Sequence, residues 1–145
     1  MLDQEGAVSR EHVPRLSALI AVKANIECES LWEKMTPLHQ AALGGHPEAV
    51  QFLLDAKARH ERTPLHLAAK KGDVSTVQVL LNAGAVVDVT NTEDITPLHL
   101  AASSKHREVI QVLVDAKARL DACCCWNRTP LHRAAAYGHI AALKV

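Results

Sequence analysis

The sequence predicts an all-α solenoid of short helix–turn–helix units, stacked side by side and joined by β-hairpin-like loops. Three observations carry that expectation. Thr36-Pro37-Leu38-His39 recurs as Thr63-Pro64-Leu65-His66, Thr96-Pro97-Leu98-His99 and Thr129-Pro130-Leu131-His132, at intervals of 27, 33 and 33 residues. An Ala-Ala pair follows each tetrapeptide after one residue: Ala41-Ala42, Ala68-Ala69, Ala101-Ala102 and Ala134-Ala135. A second apolar run follows in turn, at Val50…Leu53-Leu54, Val77…Leu80-Leu81 and Ile110…Leu113-Val114. Self-similarity at such a period is the signature of a repeat array.

Each element has a physical reason. Thr suits the N-cap of a first helix, where its hydroxyl accepts from an exposed backbone N–H. Pro suits the first helical position, where its missing N–H costs nothing. His, three residues after the cap, can reach back to it as Glu does in a capping box. Leu points into the core, and the Ala pair keeps the helix slim so that neighbouring units approach closely. The later apolar run gives a second helix its buried stripe. No unit buries its face alone, so stability comes from stacking. A core built this way needs few rings, and aromatic residues make up only 3% of the chain.

A 33-residue period with Thr-Pro-Leu-His and Ala-Ala resembles the ankyrin repeat, and the resemblance covers nearly all of the 145 residues. It divides a single repeat domain into units at 2–35, 36–62, 63–95, 96–128 and 129–145. The first is a degenerate cap. Ala7 to His12 aligns with Ala41 to His46, Leu16, Leu19 and Ile20 match Val50, Leu53 and Leu54, and polar Leu2-Asp3-Gln4-Glu5 replaces the tetrapeptide. Pro14 falls in the first turn of that unit's second helix, where proline is tolerated. The last unit stops inside its second helix, which reads as a fragment of a longer array or a frayed end. The second unit is six residues short between Ala58 and Thr63. Two readings stand: a trimmed hairpin, or residues missing from the sequence.

Lys23, Lys57 and Lys117 stand after second helices where the family usually has Gly; only Gly84 keeps that pattern. The position normally takes a left-handed backbone, which costs a side chain roughly 1–2 kcal/mol. Lys57→Gly and Lys117→Gly are therefore expected to raise the melting temperature.

Composition excludes several functions. Sixteen Lys and Arg balance sixteen Asp and Glu, whereas a nucleic-acid binder usually carries a basic excess. Apolar runs fall far below the roughly 18 residues of a membrane-spanning helix. Eight of the nine histidines sit at two repeat positions: His39, His66, His99 and His132 in the tetrapeptides, and His12, His46, His106 and His139 at the starts of second helices. Once per unit, they lie about 10 Å apart by helix packing, too far to share a metal. No phosphate-binding loop, dinucleotide fingerprint or zinc-protease motif is present. The expected catalytic, metal and cofactor sets are empty.

Cys123-Cys124-Cys125 lacks the spaced pairs of a zinc site. In an extended loop the three side chains alternate in direction. Cys28 lies three units away, roughly 30 Å off at the same helix spacing. The plain reading is a reduced, solvent-facing loop; redox sensitivity, S-acylation or adventitious metal are the others.

The resemblance implies that partners bind a concave face made by the hairpin tips and the outer turns of the first helices. Carried over position by position, the tips include Trp32, Glu33, Met35, Arg62, Thr92, Glu93, Ile95, Cys125, Trp126 and Arg128. The helix positions include Leu43, Gly44, Lys70, Lys71, Ser103, Ser104, Ala136 and Tyr137. Both tryptophans fall on tips, and the only tyrosine falls beside Trp126 and Arg128. Trp, Tyr and Arg are enriched in binding hot spots. The plainer alternative is that each Trp ring only shields its own hairpin, and that Lys70 and Lys71 are a solvated face.

The expected function is a non-catalytic protein–protein interaction module. It acts as an adaptor or scaffold that holds a folded domain or peptide on its concave face. The alternatives are a regulatory segment of a larger enzyme, channel or ubiquitin-ligase subunit, or an engineered ankyrin binder. Unequal intervals and the cysteine run argue against the last. A monomer is expected. Four cysteines without framework spacing fit a reducing compartment, and no signal peptide is visible, so cytoplasm or nucleus is the expected location.

Overall fold

The computed structural model describes residues 18, 35–55 and 64–139. Three helix pairs and one further helix fall in these residues: α1 (Pro37–Gly44) with α2 (Pro47–Asp55), α3 (Pro64–Lys71) with α4 (Val74–Asn82), α5 (Pro97–Ser103) with α6 (Arg107–Asp115), and α7 (Pro130–Ala136). The first helices α1, α3, α5 and α7 stack in one row, and the second helices α2, α4 and α6 in another. The core lies between the rows. Among the described residues there is no strand, and the loops expected to be hairpin-like are chains of turns.

The Thr-Pro-Leu-His motif starts its helices as the residue types require. Thr36, Thr96 and Thr129 are extended N-caps, and proline follows at the start of the helix. The backbone N–H of each Thr donates to Nδ1 of the histidine three residues on, at 3.2, 3.2 and 3.3 Å. The threonine hydroxyls approach the same nitrogens at 2.7, 2.9 and 2.9 Å. The imidazole thus takes the place of Glu in a capping box.

Leu38, Leu65 and Leu98 point from the first helices into the core, beside the buried Ala pairs. Val50, Leu53, Val77, Leu80, Val109, Ile110 and Leu113 meet them from the second row. Alanine at the helix contacts lets the first-helix row pack without large side chains intervening.

The turn inside each unit is a left-handed cap. Gly45, Gly72 and Gly138 carry φ of 69°, 88° and 68°. The next N–H in each case donates to the first Ala of the pair: His46 to Ala41, Asp73 to Ala68, His106 to Ala101 and His139 to Ala134, at 2.9–3.4 Å. Lys105 holds the same position in the third of these turns with φ 64°. Gly72 is constrained twice over, since a Cβ there meets His106 Nδ1 at 2.3 Å.

After the second helices, Gly84 and Lys117 are left-handed, with φ 88° and 68°. The expectation for Lys117 is met. Lys23 and Lys57 lie outside the described residues, as do the N-terminal unit with Pro14 and His12, the short 58–63 loop, and the second helix of the last unit.

Candidate functional site

Successive tips are tied together among the described residues. Asn91 builds the tip of the third unit: its Oδ1 accepts from the Glu93 and Ile95 N–H groups, both at 2.9 Å. The Glu93 carbonyl then accepts from Cys125 N–H at 3.0 Å, tying that tip to the next. Arg119 N–H is bound to Asp88 Oδ1 at 3.0 Å, a second link between the same loops.

Histidines join the units more firmly. His66 Nε2 lies 2.7 Å from the Ile95 carbonyl, and His99 Nε2 lies 2.9 Å from that of Arg128. Because Nδ1 of His99 accepts from Thr96, its Nε2 carries the proton and donates. One ring therefore caps its own helix and holds the tip of the next unit. The second set points the other way: His106 Nε2 reaches Lys70 O at 3.1 Å and His139 Nε2 reaches Ser103 O at 3.0 Å. Burial lowers the pKa of His66 and His99; each carbonyl contact opposes this in part, and His99 and Arg133 respectively add to the lowering. These bonds between units escaped the sequence reading, although the once-per-unit recurrence was the signal for them.

Among the residues expected on the concave edge, Lys70, Lys71, Thr92, Glu93, Cys125, Trp126, Arg128 and Tyr137 are exposed. Leu43 is exposed as well, while Ser103 and Ser104 are half-buried, with the Ser103 hydroxyl spent on the Leu100 carbonyl at 2.9 Å. Trp32, Glu33 and Arg62 lie outside the described residues. Ile95 is a correction. It was placed on the tip surface, yet it is buried. Its carbonyl lies 2.7 Å from His66 Nε2.

The structure gathers one part of this edge into a recess. Trp126, Arg128, Arg133, Ala136 and Tyr137 line a cavity of about 300 Å³. Trp126 is 57% exposed and Tyr137 60%, so both rings stand in solvent. Tyr137 stacks on His139 with centroids 5.8 Å apart and planes 24° from parallel, which fixes its orientation. Arg133, in the last turn of α7, was not among the expected residues. Its position in the preceding unit is taken by Leu100, and that departure from the repeat was its only signal.

A larger recess of about 520 Å³ lies against α2 and α4. Among the described residues it is lined by Glu48, Gln51, Asp55 and half-buried Phe52, with Pro47 and Val79.

Among the described residues no three metal-ligating side chains converge, and no helix is long and apolar enough to cross a membrane. Cys123 and Cys125 are exposed and Cys124 is buried, all three free.

Stacked helix pairs with a row of exposed tip residues define a helical-repeat protein that presents a surface. The chain belongs to the ankyrin repeat family: the family model for ankyrin repeats in three copies matches residues 6–91 and 65–145. Ankyrin repeats are generally protein–protein interaction modules and typically non-catalytic. No curated protein matches the chain.

Proposed function

We propose that this chain is a non-catalytic adaptor whose protein partner seats on the concave edge, anchored in the Trp126–Tyr137 recess. The observation that supports this most is the pairing of two solvent-standing rings with two guanidinium groups around one cavity. Rings supply large contact area at low entropic cost, and arginine binds carboxylates in fixed geometry. The site suits a partner segment that carries a carboxylate beside an apolar side chain. Lys70, Lys71, Thr92, Glu93, Ser103 and Ser104 supply its polar rim and Leu43 an apolar contact; Trp32, Glu33 and Arg62 are included as contacts on the strength of their repeat positions alone.

The chain works as a monomer in the cytoplasm or nucleus, alone or as the regulatory segment of a larger enzyme, channel or ubiquitin-ligase subunit. The test is a quantitative pull-down from cell lysate under reductant, with wild-type bait against Trp126→Ala/Tyr137→Ala. Proteins lost with the folded double variant support the concave edge and identify the partner. Proteins retained equally move the site to the second helices, where the Phe52 recess lies. No enrichment with either bait leaves a spacer or scaffold role.

A further inference from the structure

The recess against α2 and α4 is built on a departure from the repeat. Phe52, Val79 and Val112 hold the same place in successive second helices, at offsets of 27 and 33 residues. Valine suffices there for the stack, since Val79 and Val112 are half-buried and pack against the core. Phe52, the only phenylalanine of the chain, puts a ring where its neighbours carry two methyl groups. It is half-buried and lines the recess of about 520 Å³ with Pro47 and Val79.

Charge is placed on one side of that ring's surroundings. Glu48, Gln51, Phe52 and Asp55 are spaced i, i+3, i+4 and i+7, so they share one face of α2. Ala49, Val50 and Leu53 take the buried face. Glu48, Gln51 and Asp55 are exposed, and the Gln51 amide donates to Asp55 Oδ1 at 2.8 Å, which steadies that carboxylate. The matching residues of α4 are Ser75, Gln78 and Asn82, exposed and neutral. Gln78 spends its amide on Asn82 at 3.1 Å. Among the described residues, the lining therefore combines an apolar wall with two carboxylates and no cation.

We propose that this recess is a second interaction surface. It takes an amphipathic helix of a partner protein that sets apolar side chains on Phe52 between two basic residues. Glu48 and Asp55 are seven residues apart, about 10 Å along the axis at 1.5 Å per residue. A partner helix alongside α2 brings basic residues seven apart to the same separation. The positions three and four places after the first of them are left to meet the ring. A strand does not match this spacing, because side chains on one of its faces recur at about 7 and 13 Å. A groove between helices is a recurring seat for an amphipathic helix, which is read through anchors at this spacing. Burial of the ring supplies affinity. Exposed carboxylates add little energy each, but they choose the sign of the partner's charge. The surface belongs to the second-helix row and does not depend on the proposed concave edge.

The test is an amide-shift titration of the nitrogen-15-labelled full chain. The probe is an alanine-based helical peptide of about 20 residues, with two lysines seven apart and leucines between them. The control peptide carries glutamates in place of the lysines. The lysine peptide is expected to shift amides of α2 and α4 and to saturate, and the glutamate peptide to bind about tenfold more weakly or worse. Phe52→Val, the residue that α4 and α6 use, should weaken the lysine peptide about fivefold or more. Glu48→Ser/Asp55→Asn, the residues of α4, should bring the two peptides within about twofold of each other. Each variant borrows what a neighbouring unit carries at the same place, and circular dichroism checks its folding. No saturation, shifts confined to α5 and α7, equal affinity for both peptides, or affinity indifferent to Phe52→Val overturns the proposal. The comparison of the two peptides uses the unmodified chain, so it decides even where a variant fails to fold. Trp126→Ala/Tyr137→Ala, which tests the concave edge, leaves these affinities unchanged; a loss there overturns the assignment to α2 and α4.

Discussion

Leu98 and Leu131 hold the same place in consecutive Thr-Pro-Leu-His motifs, yet Leu98 is 2% exposed and Leu131 59%. Thr96 and His99 are buried with Leu98, while His132 is open with Leu131. Both units nonetheless form the same helix start, with the same capping box at nearly the same distances. Helix initiation here is local, decided by four consecutive residues. Burial is contributed by the following unit, which covers Leu98 with α7 and does not cover Leu131 among the described residues. One tetrapeptide thus separates the local term from the stacking term of a repeat protein.

The sharpest break is truncation of each leucine. Leu98→Ala removes side-chain volume from a closed core and costs about 2–5 kcal/mol, whereas Leu131→Ala stays within about 0.5 kcal/mol. Denaturant titration of the two variants measures both. Equal losses mean that Leu131 is buried in solution and that the contrast between the units does not hold.

Next come the histidines. His99→Ala loses the cap and the bond to the Arg128 carbonyl and leaves buried groups unpaired, a cost of about 2–3 kcal/mol. His132→Ala loses only a cap, about 1 kcal/mol. A ratio near one would mean that the bond between units contributes nothing.

Acid sharpens the same contrast. The folded state lowers the pKa of His66 and His99, so it holds them neutral while the unfolded chain takes up protons more readily. Their stabilisation is complete above the unfolded value near 6.5 and is lost progressively as the pH falls from there through the depressed folded values. Protonation also places a hydrogen on Nδ1 of His99, against the Thr96 N–H it should accept. The melting temperature is expected to fall between about pH 7 and pH 5. His99→Gln should flatten that slope, and an unchanged slope assigns the acid sensitivity elsewhere.

The smallest effect is backbone relief. Lys105 and Lys117 are left-handed where other units carry glycine. Lys105→Gly and Lys117→Gly should each stabilise by about 0.5–1 kcal/mol, the left-handed penalty less the greater chain entropy of glycine. A thermal melt that falls for either variant shows that its lysine supplies more than it strains.

Much of this was readable from the residue order. The capping box follows from Thr and His three apart, the slim contacts from Ala-Ala, and the left-handed Lys117 from its match to Gly84. The recess was half legible: Trp126, Arg128 and Tyr137 stood out by type, whereas Arg133, signalled only by its difference from Leu100, was missed. The inward turn of Ile95 was hidden, because its neighbours Glu93 and Asp94 are exposed and a tip residue gives no periodicity to read. Lys105 was missed because Ser-Ser-Lys-His does not look like the Gly-bearing turns of its neighbours.

The residue order alone determined that the chain repeats, where each helix starts and which face it buries. Those are matters of neighbours three and four positions apart, where geometry is dictated by the helix itself. Only the tertiary structure decided that one histidine ring serves two units, that Trp126 and Tyr137 open on one cavity, and that Cys124 alone of the three adjacent thiols is buried. Each of these joins groups brought together by stacking or by a turn's backbone, and no spacing along the chain records how closely two units approach.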